Sequence, residues 1–171
     1  RVFPSFNAPS PVYPPAFEQL VQTLRVLPSV GLRGAQRMAL HLLTRAPDGA
    51  AQLQSALTAA LTEIGTCSRC RMLSVKDSLC GICQQSHRRE SGLLCIVEQI
   101  TDVVAIENSQ QYQGVYFVLH GKLSPLDGIG PHELGFDLLT SLLESQPWQE
   151  IILATNATVE GEATAYYLAE L

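Results

Sequence analysis

Four of the five cysteines fall as Cys67-x2-Cys70 and Cys80-x2-Cys83, with nine residues between the pairs. A C-x-x-C knuckle is short enough to turn two thiolates toward one ion, and two such pairs complete a tetrahedron. Thiolates in this arrangement suit Zn2+. Four of them leave no open position for water, so the expected role is structural. Metal binding on the order of 10–16 kcal/mol would hold a module with almost no apolar core. Disulfides are the competing chemistry, but the sequence shows no basic-then-apolar secretory leader and leaves one cysteine over. That fifth residue, Cys95, lies inside the apolar run LLCIV (93–97) and reads as a small buried hydrophobe.

A second constellation is LPSVGLRGAQRMALHLL (27–43). A tight turn containing Gly31 at a helix start would point backbone N–H groups outward, where they can bind a phosphate oxygen. Arg33 and Arg37 are four apart and share one helix face. Together they could grip neighbouring phosphates, a contact that reads backbone rather than bases and weakens with salt. The alternative is a helical hairpin whose arginines are merely solvated.

The third constellation is acidic. Glu98 directly follows an expected strand, Asp102 comes four residues later, and Glu160 opens an expected helix. Carboxylates at the C-terminal ends of parallel strands lie where α/β sheets place ligands, and two or three convergent ones would hold Mg2+. The third expected strand, however, ends Ala154-Thr155-Asn156 with no acid, so a two-metal site looks incomplete. The loop DGIGP (127–131) fits neither a P-loop nor a dinucleotide fingerprint, and His132-Glu133 lacks the second histidine of a zincin.

These residues need elements to position them. Five prolines in residues 1–15 make an extended or disordered arm, in which Phe3 and Phe6 could dock. Phe17, Leu20, Val21 and Leu24 are at helical spacing, and Leu27-Pro28 ends that helix. A second helix is expected from about Gly34 to Leu43. A third carries Leu53, Leu57, Leu61 and Ile64 on one face and is ended by Gly65. Residues 67–83 read as a cysteine-rich loop module followed by a polar stretch to Gly92. LLCIV (93–97), VYFVL (115–119) and IILA (151–154) suit buried parallel strands. Helical patterns near 102–109, 133–144 and 160–171 alternate with them, giving an α/β layer with right-handed crossovers.

Composition bounds what this assembly can be. The chain has 171 residues, 46% of them apolar and 16% charged. A packed core is within reach and wholesale disorder is not expected. No apolar run approaches the roughly 18 residues of a membrane helix, so the expectation is a soluble, cytoplasmic protein. Collagen, coiled-coil and mucin-like classes are excluded. The net charge of −5 conceals an asymmetry: ten Lys/Arg and four Asp/Glu in residues 1–89 give +6, while one Lys and twelve Asp/Glu in 90–171 give −11. The basic half could meet phosphate and the acidic half a metal or a basic partner, or both are ordinary solvated surfaces.

Taken in order, LPSVGLRGAQRMALHLL (27–43), the four cysteines, CIVE (95–98) with Asp102, SPLDGIGP (124–131) and ILATNATVEGEATAYYLAEL (152–171) resemble the bacterial RecR recombination mediators. The resemblance runs from Phe17 to Leu171. It implies an arm over 1–15, a helix-hairpin-helix DNA-binding domain over 16–65, a four-cysteine zinc module over 66–90 and a Toprim domain over 91–171. The fold class is then α/β, with a helical N-terminal domain and a short parallel sheet flanked by helices. It implies no catalysis. It implies a ring-like homotetrameric clamp that encircles DNA and works with RecO, and with RecF, to load RecA on gapped DNA. Carried over residue by residue, the DNA contacts fall on Gly31, Arg33 and Arg37, and the Zn2+ ligands on Cys67, Cys70, Cys80 and Cys83. The partner-binding acids fall on Glu98, Asp102 and Glu160. The hairpin departs from the family's usual Pro-Gly-x-Gly-Pro: Ser29 replaces the first glycine and Leu32 the second proline. The sequence ends within its last expected helix, where family members continue into a further strand and a tail that helps join subunits.

Overall fold

A computed structural model describes residues 12–171; the expectations for the proline-rich arm fall almost wholly outside the described residues. The chain divides into two units at the Thr62–Glu63 boundary, and each is described by itself.

The first unit is helical. Helix α1 spans Pro15–Leu24, with Pro15 at a position where its missing N–H costs nothing. Helix α2 spans Leu32–Thr44, starting two residues earlier than the sequence pattern places it. Phe17 and Val21 of α1 pack on Ala35 and Ala39 of α2. The two alanines are four apart and fully buried, and their small side chains let the helices approach closely. Between them the chain turns through Ser29, whose φ of +64° is left-handed. This is the position where the resemblance expects glycine, and serine here bears a conformational cost that glycine would not. Helix α3 spans Pro47–Glu63 and buries none of its residues. The expected apolar stripe is present but uncovered: Leu53 is 46%, Leu57 55% and Leu61 84% exposed. Gly65 does not end this helix; it lies in a strand that begins at Ile64.

The second unit opens with a small antiparallel hairpin, β1 (Ile64–Thr66) and β2 (Leu73–Val75), registered Thr66↔Leu73. The first cysteine knuckle forms the turn between these strands. The polar stretch after Cys83 holds a short helix, α4 (Ser86–Glu90).

Three parallel strands follow in the order β4-β3-β5: β3 (Leu93–Val97), β4 (Val115–Val118) and β5 (Glu150–Ala154). Helices α5 (Ile100–Asn108), α6 (Phe136–Glu144) and α7 (Val159–Glu170) alternate with them. The apolar runs of β3 and β4 are explained by burial on both faces, whereas β5, expected to be buried as well, is an edge strand with no buried residue and Ile151 42% exposed. Leu94 and Ile96 face a cluster with Phe117, Leu119, Phe136, Leu139 and Leu168, which brings in α6 and α7. Cys95 and Val97 face the other way, toward Val103 of α5 and toward Met72 and Ile82 of the cysteine module. Burial pushes the Cys95 thiol up to about 11, which keeps it in the neutral, apolar role expected for it.

Candidate functional sites

Cys67, Cys70, Cys80 and Cys83 are all buried, and their four sulfurs lie within 4.8 Å of one another. A tetrahedron with metal–sulfur bonds of about 2.3 Å places its sulfurs about 3.8 Å apart, so the cage is of the right size. The first knuckle is closed by Cys67 N–H to Met72 O at 2.7 Å and Arg71 N–H to Cys67 O at 2.9 Å; the second by Gln84 N–H to Cys80 O at 3.0 Å. Cys70 and Cys80 Sγ are 3.3 Å apart. Cys70, Cys80 and Cys83 lie close enough to perturb one another. Hydrogen bonding to Cys80 pushes the Cys70 thiol up, and accepting from Cys70 and Cys83 pulls the Cys80 thiol down. A soft cation that displaces the remaining protons resolves the conflict, and the donor set fits a metal ion such as zinc. Its four ligands would be Cys67, Cys70, Cys80 and Cys83, and its chemistry there would be structural. Among the described residues this quartet is the cluster of three or more His, Cys, Asp or Glu side chains with metal-binding spacing.

The module is fastened to the sheet by residues that spacing did not single out. Arg88 of α4 is 5% exposed. Its guanidinium meets Glu107 of α5 with two bonds of 2.8 and 2.6 Å, Gly114 O at 2.9 Å and Tyr112 O at 3.1 Å. Tyr116 Oη donates to the same carboxylate at 2.6 Å. The Arg88 hydrogen bonds hold the Glu107 carboxyl below the usual carboxylate range, with help from Tyr116. Arg71 donates to the carbonyls of Leu119 and Leu134, and Arg69 to Gln146 at 3.0 Å. Arg89 donates to Cys83 O. Much of the basic half's charge is therefore engaged inside the structure. The sequence sum of +6 overstates what a ligand meets, because net charge does not distinguish surface from fastening.

Arg33 and Arg37 are not engaged in this way. Both are exposed on α2, and neither has an ion-pair partner among the described residues. Gly31 is the N-cap of α2 with φ −84° and ψ 175°, an extended conformation open to any residue. It offers no side chain to cap the helix, and the first intrahelical bond is Ala35 N–H to Gly31 O at 2.9 Å. The preceding N–H groups are left for an outside acceptor, beside two guanidinium groups and the positive end of the helix.

The three acids have separate employments. Glu98 is 3% exposed and accepts Asn156 N–H at 2.9 Å and Asn156 Nδ2 at 2.6 Å. Asn156 thus meets Glu98 as a donor where a metal cluster would need another acid. Gly161 at the start of α7 closes over this pair; a Cβ there would lie 2.0 Å from Asn156 O and 3.0 Å from Glu98 Oε1. Asp102 is the third residue of α5 and accepts Gln99 N–H at 2.8 Å, half of a capping box. Glu160 is exposed and pairs with Lys122 at 3.3 Å. Glu98 and Asp102 thus have protein partners of their own, one an amide and the other a helix N-terminus, beside a strand end that carries no acid. Glu160 alone of the three presents an exposed carboxylate.

Residues 17–61 match the model of the RecR helix-hairpin-helix family, and residues 92–171 match that of the Toprim domain. The cysteine quartet lies between them.

Proposed function

We propose that this chain, which joins a RecR-type helix-hairpin-helix, a four-cysteine cluster and a Toprim region in one sequence, is a RecR-type, non-enzymatic, DNA-binding recombination mediator. The family's domains carry a role in recombinational repair. In the proposed reading the cysteine cluster holds one structural Zn2+ per subunit. Arg33, Arg37 and the uncapped N–H groups after Gly31 contact phosphates without reading sequence. The acidic face receives RecO: Glu160 and the partly exposed Asp102 meet the partner, and buried Glu98 acts from behind by holding Asn156 in place. RecF is a further partner, and the outcome is RecA loading on gapped DNA by a cytoplasmic ring of four subunits. The uncovered stripe Leu53, Leu57 and Leu61 on α3 supports self-association, since an apolar face of that length is usually buried against something. No helix is long and apolar enough to cross a membrane among the described residues.

One observation carries the absence of catalysis in this reading: both oxygens of Glu98 are engaged by Asn156. Asn156 stands where a second acid would be needed, so Glu98 lacks the convergent carboxylate that an Mg2+ site for phosphoryl chemistry requires. The test is incubation with Mg2+ or Mn2+ and labelled nicked, gapped and single-stranded DNA, alongside a salt-dependent binding assay. Binding with no change in the DNA is expected. Metal-dependent cleavage or synthesis that Glu98→Gln abolishes would replace the scaffold reading with an enzymatic one.

A further inference from the structure

The cysteine module and the acidic face are joined by one short stretch of chain. Val118 N–H donates to Cys70 O at 2.9 Å, so the residue that carries a metal ligand also continues the edge of β4. Leu119 O accepts from Arg71 Nη1 at 3.0 Å. His120 Nε2 donates to Arg71 O at 2.7 Å. From there the contacts change sides. Gly121 N–H donates to Glu98 O at 3.0 Å. Lys122 pairs with Glu160 at 3.3 Å, and Leu123 N–H donates to Thr164 Oγ1 of α7 at 3.0 Å. The consecutive residues 118–123 thus run from a metal ligand to two of the three acids.

Arg71 is the clamp at the near end. It is the residue after Cys70, and its φ of +64° is left-handed, as is that of His120 at +60°. Such conformations are unfavourable for residues with a Cβ and persist where surroundings over-determine them. The knuckle supplies that constraint on one side. On the other, the guanidinium reaches the carbonyls of Leu119, Leu134 and Glu133 and lies 5.9 Å from the Phe117 ring centroid. Gly135 leaves room for it; a Cβ there would be 2.5 Å from Arg71 Nη1.

We propose that Arg71 is a positioning residue that makes the geometry of the acidic face, through the strap 118–123, depend on whether the four cysteines hold their metal. With the knuckle closed, Arg71 and Cys70 O fix Val118 to His120, and the next three residues hold Glu98, Glu160 and α7 in register. With the metal gone, the knuckle opens, the left-handed pair relaxes, and the strap loses its anchor. The partner side of this inference rests on the proposed role of the acidic face; the coupling itself does not.

The experiment uses the full chain as wild type, Arg71→Ala, Arg71→Lys and Gly135→Ala. Zinc content, DNA retention, amide exchange at the strap and affinity for purified RecO are measured together. In Arg71→Ala at full zinc loading, the Gly121 and Leu123 amides should exchange about tenfold faster, within the usual range of site-to-site coupling. RecO affinity should fall by a similar factor while DNA retention holds. Arg71→Lys should restore part of both, because an ammonium still reaches a carbonyl. Gly135→Ala pushes on the guanidinium from outside the module, but its φ of +73° strains any side chain there, so wild type stripped of zinc is measured beside it: faster strap exchange on stripping is expected and decides the matter if Arg71→Ala fails to hold zinc, and unchanged exchange would overturn the inference. Zinc-loaded variants with wild-type exchange and wild-type RecO affinity would overturn the inference. If wild type ignores RecO while strap exchange still follows Arg71, the coupling stands and the proposed partner falls.

Discussion

Replacing Arg33 and Arg37 together with alanine isolates the proposed phosphate contact. Both side chains are exposed and without an ion-pair partner among the described residues, so the fold should change by no more than about 0.5 kcal/mol. Binding should respond much more. Each phosphate neutralised on duplex DNA contributes about 0.9 to the slope of log K against log salt. Losing two contacts per subunit should flatten that slope by about 1.8 per engaged subunit. Over a fourfold rise in salt, the variant's affinity should then fall about tenfold less than wild type's, from a weaker starting value. Fluorescence anisotropy with labelled duplex between about 50 and 200 mM salt, conditions chosen to span that fourfold range, reads this directly. Zinc content and far-UV circular dichroism serve as controls. Glutamate at both positions adds repulsion and should abolish retention. An unchanged slope with intact zinc would refute the assignment of these arginines, because counterion release has no other route to that result.

Three further outcomes are expected. Arg88→Met should cost about 2–3 kcal/mol; removing one partner of a buried pair costs about 3–5 kcal/mol, and Glu107, 32% exposed, recovers part of this by hydration. Since Glu107 is depressed in the folded state, its contribution is present above its unfolded value and is lost as pH falls through the folded one. The gap between wild type and Arg88→Met in urea melts should accordingly narrow below about pH 4.5. Ser29→Gly should raise stability by about 0.5–1 kcal/mol in thermal melts, since the left-handed φ of +64° favours glycine; a loss would show that the serine side chain matters more than the backbone strain. Chelation or Cys67→Ser should unlock amides across residues 64–90 by hydrogen exchange; an unchanged pattern would deny the cysteines a structural metal.

Sequence carried the parts of this protein that depend on local pattern. Two C-x-x-C pairs imply a cage because thiolate geometry needs only short spacing. LLCIV and VYFVL imply strands covered on both faces because the runs are apolar throughout; IILA carries the same pattern but lies at the sheet edge, half-exposed, which the pattern does not distinguish. Arg33 and Arg37 imply a cationic helix face because four residues make about one turn. Tertiary structure alone decided how charges are used. Glu98, Asp102 and Glu160 are equivalent letters in sequence. In the fold one carboxylate accepts two amide donors of Asn156, one caps a helix, and one meets a lysine at the surface. Arg71, Arg88 and Glu107 carry no motif at all, yet they fasten the metal module to the sheet. Their partners are backbone carbonyls and side chains 9 to 63 residues away. Chain folding brings such groups together across distances that no spacing rule spans.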